Sequence, residues 1–257
     1  MTVVAIAGGT GHLGRTIVEA LVQNKEHEVL VFSRHATMPL GSAIHVQVDY
    51  DDVASLTTLI KKRRIHTIIS TIALSSDAQS NAQLNLIQAA SDSTVTKRFA
   101  PSEWSLPAKE SQIERLGSVE YRLRAIDLLR KTNLEYTLFF PGWLMDYYGI
   151  PHIETHMDPF PFAIDLSNRV AAIPASGDVL IVFTYTKDVA RVVAASLTLE
   201  RWPERAYIIG DKVTWKQLLK AAEKATGSKF QVTFNSIENL QKDYITKLPA
   251  YQEVYHS

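Results

Sequence analysis

Val3-Val4-Ala5-Ile6-Ala7 runs directly into Gly8-Gly9-Thr10-Gly11-His12-Leu13-Gly14 and on into Arg15-Thr16-Ile17-Val18-Glu19-Ala20-Leu21-Val22. The first run is apolar and rich in β-branched residues, the pattern of a strand buried on both faces of a parallel sheet. After it, apolar side chains recur at Leu13, Ile17, Ala20 and Leu21, which is helical spacing. A glycine-rich turn therefore joins a buried strand to a helix. Such a unit builds a doubly wound α/β fold.

The turn has a chemical use. Gly8 lets the chain leave the strand tightly, Gly11 leaves the backbone open to a pyrophosphate, and Gly14 lets the helix pack close to the strand. Amide groups at the helix N-terminus and the positive end of its dipole then face the phosphates, with Thr10, His12 and Leu13 completing the turn. The spacing is Gly-x-x-Gly-x-x-Gly rather than the commoner Gly-x-Gly-x-x-Gly. The same glycines would also serve a strand–helix turn with no ligand.

Outward from the turn, Glu28-Val29-Leu30-Val31-Phe32-Ser33-Arg34 reads as a second strand. In dinucleotide-binding folds, an acid at this strand end holds a ribose 2′-hydroxyl, whereas an arginine accommodates a 2′-phosphate. Here the position holds Ser33-Arg34 with His35 next and no acid nearby. A guanidinium binds phosphate in a two-bond fork. The expected cofactor is NADP(H), with Ser33 and Arg34 at its 2′-phosphate.

Composition narrows the class. The 257 residues suit one large α/β domain or a domain with an appendage, and 46% are hydrophobic, ample for a core. Lys plus Arg and Asp plus Glu balance at 27 each, so no global field favours nucleic acid or an anionic membrane. The absence of cysteine removes disulfides, thiol nucleophiles and cysteine metal sites together. The first apolar run lacks a preceding basic region and is too short for a signal peptide, and no apolar stretch is long enough to span a bilayer. A cytoplasmic protein is expected.

Further along, Ile44–Asp49 reads as a third strand, 53–62 as a helix ending in the basic run Lys61-Lys62-Arg63-Arg64, and Thr67–Ala73 as a fourth strand. Acids before that helix and bases at its end complement its dipole, so the basic run reads as a helix terminus. Thr71 falls where a cofactor would cross the sheet's carboxyl edge. Asn81 to Ser91 is an amphipathic helix, and Lys97-Arg98-Phe99-Ala100-Pro101-Ser102-Glu103-Trp104 a short strand ending in a turn at the same edge.

Three elements together resemble the NmrA-like and isoflavone-reductase-like family of atypical short-chain dehydrogenase/reductases: the Gly-Gly-Thr-Gly-x-x-Gly opening, the Ser-Arg pair and Arg-Phe-Ala-Pro-Ser-Glu-Trp. The resemblance continues through Glu135–Trp143, Thr186–Ala190 and Ile209–Thr214. It implies a Rossmann domain, NADP(H), and either reduction of a small aromatic or conjugated substrate or a nucleotide-sensing role. It also implies that Pro101, Ser102 and Glu103 lie along the cofactor, and that Pro141-Gly142 passes beside the nicotinamide, where its backbone would fix the carboxamide.

One position departs from the family. Its catalytic members carry a lysine on the helix before the Tyr136-Thr137 strand, and an ungapped count places Arg122 there. No tyrosine in the chain is followed by a lysine four residues later, so the usual short-chain pair is also absent. Arginine is a poor proton donor because its pKa lies above 12, so Arg122 is expected to steady developing charge. The proton would then come from Tyr121, Tyr147, Tyr148 or His152, side chains of the right chemical type; Tyr121, next to Arg122 on a helix, would point about 100° away from it.

From Trp143 the composition turns aromatic and proline-rich, through Tyr147-Tyr148-Gly149-Ile150-Pro151 and Pro159-Phe160-Pro161-Phe162, reading as a long loop fit to wall a substrate site. His152-Ile153-Glu154-Thr155-His156 lacks the zinc-protease offset, and no metal site is expected. Strands are read at 169–173, 179–183, 205–209 and 230–234, with helices at 188–195, from Trp215 under a Thr214–Gln217 capping box, and at 237–247.

The expectation is a Rossmann domain over 1–142 and a substrate-binding lobe over 143–257, with segments near 179–198 returning to the core. It would bind NADP(H) and a small aromatic molecule, not nucleic acid or membrane, and would reduce a carbonyl or conjugated carbon. The alternatives are an NADP-sensing regulator without turnover, and an isomerase or cyclase on the same scaffold. The sequence leaves oligomeric state open.

Overall fold

The structure, a computed structural model, describes residues 1–35 and 39–250; residues 251–257 of the expected second lobe lie outside them. It divides into two compact units, one comprising 1–141 and 186–208, the other 142–185 and 209 onward.

The first unit is built on strands β1 (Thr2–Ala7), β2 (His27–Ser33), β3 (Ile44–Gln47), β4 (Thr67–Ser70), β5 (Arg98–Ala100) and β6 (Glu135–Tyr136). They form one parallel sheet in the order β3-β2-β1-β4-β5-β6. Helices α1 (His12–Asn24), α2 (Val53–Arg63), α3 (Asp77–Ser93) and α4 (Gly117–Leu129) connect them. The strand order reverses between β1 and β4, so the turn after β1 sits at the topological switch point where such sheets bind ligands. Register aligns the carboxyl ends: Ala7 lies opposite both Phe32 and Ser70, and Ile69 opposite Ala100. Gly8, Ser33, Thr71 and Pro101 therefore follow along one edge.

Both faces of the sheet are covered, which explains the unbroken apolar reading of β1, β2 and β4. Ala5, Leu30, Phe32, Ile68 and Phe99 pack with Leu56 and Ile60 of α2 and Leu86 and Ile87 of α3, all buried. The strand read through Tyr136-Thr137 is interrupted at Thr137; beyond it, β7 (Leu138–Phe140) pairs in parallel with the strand Arg205–Tyr207. The helix Thr186–Ser196 packs against α1, with Val189, Ala190 and Val193 fully buried.

The returning segment is thus 186–208. The expected stretch began earlier, at 179, but Leu180–Thr184 stays in the second unit, antiparallel to Asp211–Thr214 and parallel to Trp143–Leu144. In that unit a second sheet places Val170–Pro174 between Gln231–Asn235 and Ile164–Asp165. The expected capping box forms: Gln217 N–H donates to Thr214 Oγ1 at 3.1 Å and Thr214 N–H to Gln217 Oε1 at 2.7 Å.

Two local readings are corrected. The stretch after Trp143 is not all loop, because a two-residue strand and a 3₁₀ turn over Met145–Tyr148 begin it. The last helix is Ile237–Gln241, much shorter than 237–247: Asp243 takes a left-handed φ of 59°, and Asn235 accepts the Thr246 N–H and hydroxyl, drawing the chain out of the helical path.

Candidate active site

The glycine turn separates into two kinds of glycine. Gly8 has φ +76°, and a β-carbon there would lie 2.9 Å from the Thr71 carbonyl. A β-carbon at Gly14 would lie 2.4 Å from both Gly8 O and Thr71 Oγ1. These two are glycine for the fold, because α1 and the end of β4 close directly onto the turn. Thr71 holds the arrangement by donating its N–H and hydroxyl to Ala7 O at 2.8 and 2.9 Å. Gly11 differs: a β-carbon there would meet only Gly8 O, at 3.4 Å. Its missing side chain leaves open space.

Thr10, Gly11 and His12 form an exposed crest, while Leu13 is buried beneath it. Gly11 is the N-cap of α1 and provides no side-chain cap, and the first turn carries no acid. A helix end left so is a ready site for phosphate. A dinucleotide's pyrophosphate fits this cradle.

At the end of β2, Ser33 donates its hydroxyl to His35 O at 2.6 Å, bending the chain, and Gln47 Nε2 donates to Arg34 O at 3.1 Å. The Arg34 backbone is thereby fixed while its side chain stays exposed.

The turn after β5 is held at successive residues. Ser102 N–H donates to Gln83 Oε1 at 2.8 Å, and Trp104 Nε1–H donates to Ser70 O at 2.9 Å while its ring stacks on Phe139 at 5.3 Å. Glu103, 1% exposed, accepts two bonds from Arg122, from Nε at 2.9 Å and Nη2 at 2.5 Å. Burial pushes the Glu103 carboxyl above the ordinary carboxylate range, with Arg122 pulling the other way. Glu103, expected along the cofactor, thus turns its carboxylate to α4, and Arg122, expected to face developing charge, is engaged by it. Pro101 is buried at the head of this turn.

The candidate tyrosines lie in different surroundings. Burial, with the Asp77 carboxylate beside it, raises the Tyr121 phenol above its ordinary value. Tyr148 donates its hydroxyl hydrogen to Phe162 O and packs edge-on to Phe183. Burial, with the Asp146 carboxylate beside it, raises the Tyr147 phenol. Pro141 is buried at the end of the first stretch of the first unit. Gly142 has φ +73°, and a β-carbon there would lie 2.5 Å from Val182 O, so its missing side chain admits the Val182 backbone. Within the second unit, Trp143 stacks on Phe162 at 4.1 Å, and Phe160 stacks on Phe162 at 6.2 Å. Among the described residues no cluster of His, Cys, Asp or Glu suits a metal ion, and no helix is long and apolar enough to cross a membrane.

Sequence reasoning missed Gln83. It is 1% exposed, and it stands one helical turn before Leu86 and Ile87 and two before Ala90. A polar residue on that stripe was the available signal.

The description of the NmrA-like family matches residues 1–257. "Oxidoreductase BOA1" of Botryotinia fuckeliana (strain B05.10) is 37% identical over 233 residues, covering 90% of this chain and 78% of that protein. The binary complex of leucoanthocyanidin reductase with NADPH from Vitis vinifera matches with a TM-score of 0.76 at 16% identity, covering 93% of this chain and 79% of that one. AtPrR2 with NADP⁺ and (+)pinoresinol matches with a TM-score of 0.73 at 22% identity, covering 94% and 81%. At these identities the two structures share the doubly wound fold with this chain.

Proposed function

The chain belongs to the NmrA-like family, and on that premise we propose that it is an NADPH-dependent reductase acting on a carbonyl or conjugated carbon of a small aromatic or secondary-metabolite substrate. One observation carries the reading: Gly11 is open where Gly8 and Gly14 are filled, at an uncapped helix N-terminus on the switch point. The name of the relative, an oxidoreductase, and the nucleotides in the two neighbouring structures support it.

In this reading Gly8, Thr10, Gly11, His12, Leu13 and Gly14 present the turn to the pyrophosphate. Arg34, with Ser33 shaping the bend, takes the 2′-phosphate. Thr71, the 101–103 backbone and Pro141 lie along the remaining edge. When bound, the reduced nicotinamide supplies the hydride. Arg122 keeps its proton and its charge is balanced by Glu103, while the Tyr148 hydrogen is spent on a carbonyl, so neither is the acid. The 142–185 and 209–257 unit, with its stacked Trp143, Phe160 and Phe162, is the substrate-binding part.

A second reading is an NADP-sensing regulator without turnover, favoured by the Arg122–Glu103 pair at the position of the family's lysine. Calorimetry with NADPH, NADP⁺ and NADH tests the common premise, and NADPH oxidation over a panel of enones, quinones and aldehydes separates the two. Preferential NADPH binding with turnover is expected. Binding without turnover on the whole panel favours the regulator, and absence of any nucleotide binding overturns both.

A further inference from the structure

Arg122 sits at the most informative departure from the family, and its geometry gives it a definite task. Its Nε and Nη2 close side-on over both oxygens of Glu103, at 2.9 and 2.5 Å. Nη2 also donates to Leu106 O at 2.5 Å. The Arg122 side chain is 13% exposed and that of Glu103 1%. One guanidinium thus ties α4 to two points of the segment after β5. Gln83 of α3 ties the same segment at Ser102, and the Ser70 carbonyl of β4 ties it at Trp104.

The segment's place on the sheet says what it serves. With the order β3-β2-β1-β4-β5-β6, a dinucleotide whose pyrophosphate lies at the β1 turn and whose 2′-phosphate lies at β2 must carry its other half over β4 and β5. Pro101 follows β5 there, one residue beyond the Ile69–Ala100 pair that closes the register with β4. The planar fork of Arg122 meets both Glu103 oxygens side-on and reaches Leu106 O with the same Nη2, a geometry that the flexible, compact ammonium of a lysine reproduces less well.

We propose that Arg122 is a positioning residue which, acting through Glu103, fixes the 101–106 turn as the seat of the nicotinamide half of the cofactor. Its charge is taken up by Glu103, so it neither donates a proton nor meets the substrate. This inference rests on the cofactor reading above and adds the division of labour within it.

The experiment compares wild type with Arg122→Gln, Arg122→Lys and the double variant Glu103→Gln/Arg122→Gln, which leaves no uncompensated buried charge. Two probes are bound: NADPH, and adenosine 2′,5′-bisphosphate, which lacks the nicotinamide half. Hydrogen exchange of the ligand-free proteins reads the 101–106 segment directly. Arg122→Gln and the double variant are expected to bind NADPH about tenfold more weakly or worse, while adenosine 2′,5′-bisphosphate stays within about twofold of wild type. Exchange at 101–106 accelerates in both, and Arg122→Lys recovers part of the loss. Equal weakening of both probes, or unchanged NADPH binding, overturns the proposal. A wild-type protein that binds neither probe overturns the cofactor reading itself, and this inference with it.

Discussion

Gly14 and Thr71 are pressed together: a β-carbon on Gly14 would stand 2.4 Å from Thr71 Oγ1, on a hydroxyl already bonded to Ala7 O. Gly11, three residues away on the same turn, meets nothing but Gly8 O at 3.4 Å. Alanine at these two positions therefore tests different things. Gly14→Ala is expected to lower unfolding free energy by about 2 kcal/mol or more, the scale of forced overpacking. Gly11→Ala is expected to stay near wild-type stability in urea yet lose NADPH affinity, because its methyl enters the space left for phosphate.

In the proposed reading Arg34 sets the preference for NADPH over NADH. Arg34→Ala is expected to weaken NADPH binding by roughly tenfold to a hundredfold, the size of one or two charge-assisted bonds, and to leave NADH binding unchanged. Calorimetry on both nucleotides reads the ratio. An unchanged ratio would place the 2′-phosphate contact on another residue.

Arg98 stands in the Arg-Phe-Ala-Pro-Ser-Glu-Trp element, and its bonds hold the fold together. Its Nε meets Glu135 Oε2 at 2.6 Å, Nη2 donates to Leu199 O and Glu200 O at 2.8 Å each, and its guanidinium lies 5.3 Å from the Trp202 ring centre. It clamps the end of the returning 186–208 segment. Arg98→Met is expected to cost about 3 kcal/mol of stability, as breaking a largely buried pair does. NADPH affinity of the folded fraction should remain that of wild type.

His66 gives the fold an acid limit. Burial, then the nearby Arg98 and Lys97, hold its pKa below the usual 6.5, with Glu135 pulling the other way. A depressed histidine pKa means that the unfolded chain takes up the proton first. Stability is unaffected while both states are neutral and falls as pH drops below the unfolded value toward the folded one. His66→Gln is therefore expected to flatten the decline of Tm between about pH 7 and pH 5. A decline as steep as wild type would assign it to other groups.

The elements legible in the sequence are those whose cause is local. The β1–turn–α1 unit shows because strand and helix periods change across three glycines. The Thr214–Gln217 box shows because its partners are three residues apart. The unbroken apolar run of β1 argued for a strand buried on both faces of a parallel sheet, and Ile6, Phe32 and Phe99 are fully buried.

What the sequence determined is which backbone segments form and in what order they can wind, because hydrophobic period, glycine freedom and capping act within a few residues. What only the tertiary structure decided is where the polar groups spend their bonds. Glu103 meets Arg122 across 19 residues, Gly142 admits the Val182 backbone from a distant strand, and Tyr148 gives its hydrogen to Phe162 O. A buried charge or hydroxyl must find a partner, and folding, not spacing along the chain, brings that partner within reach.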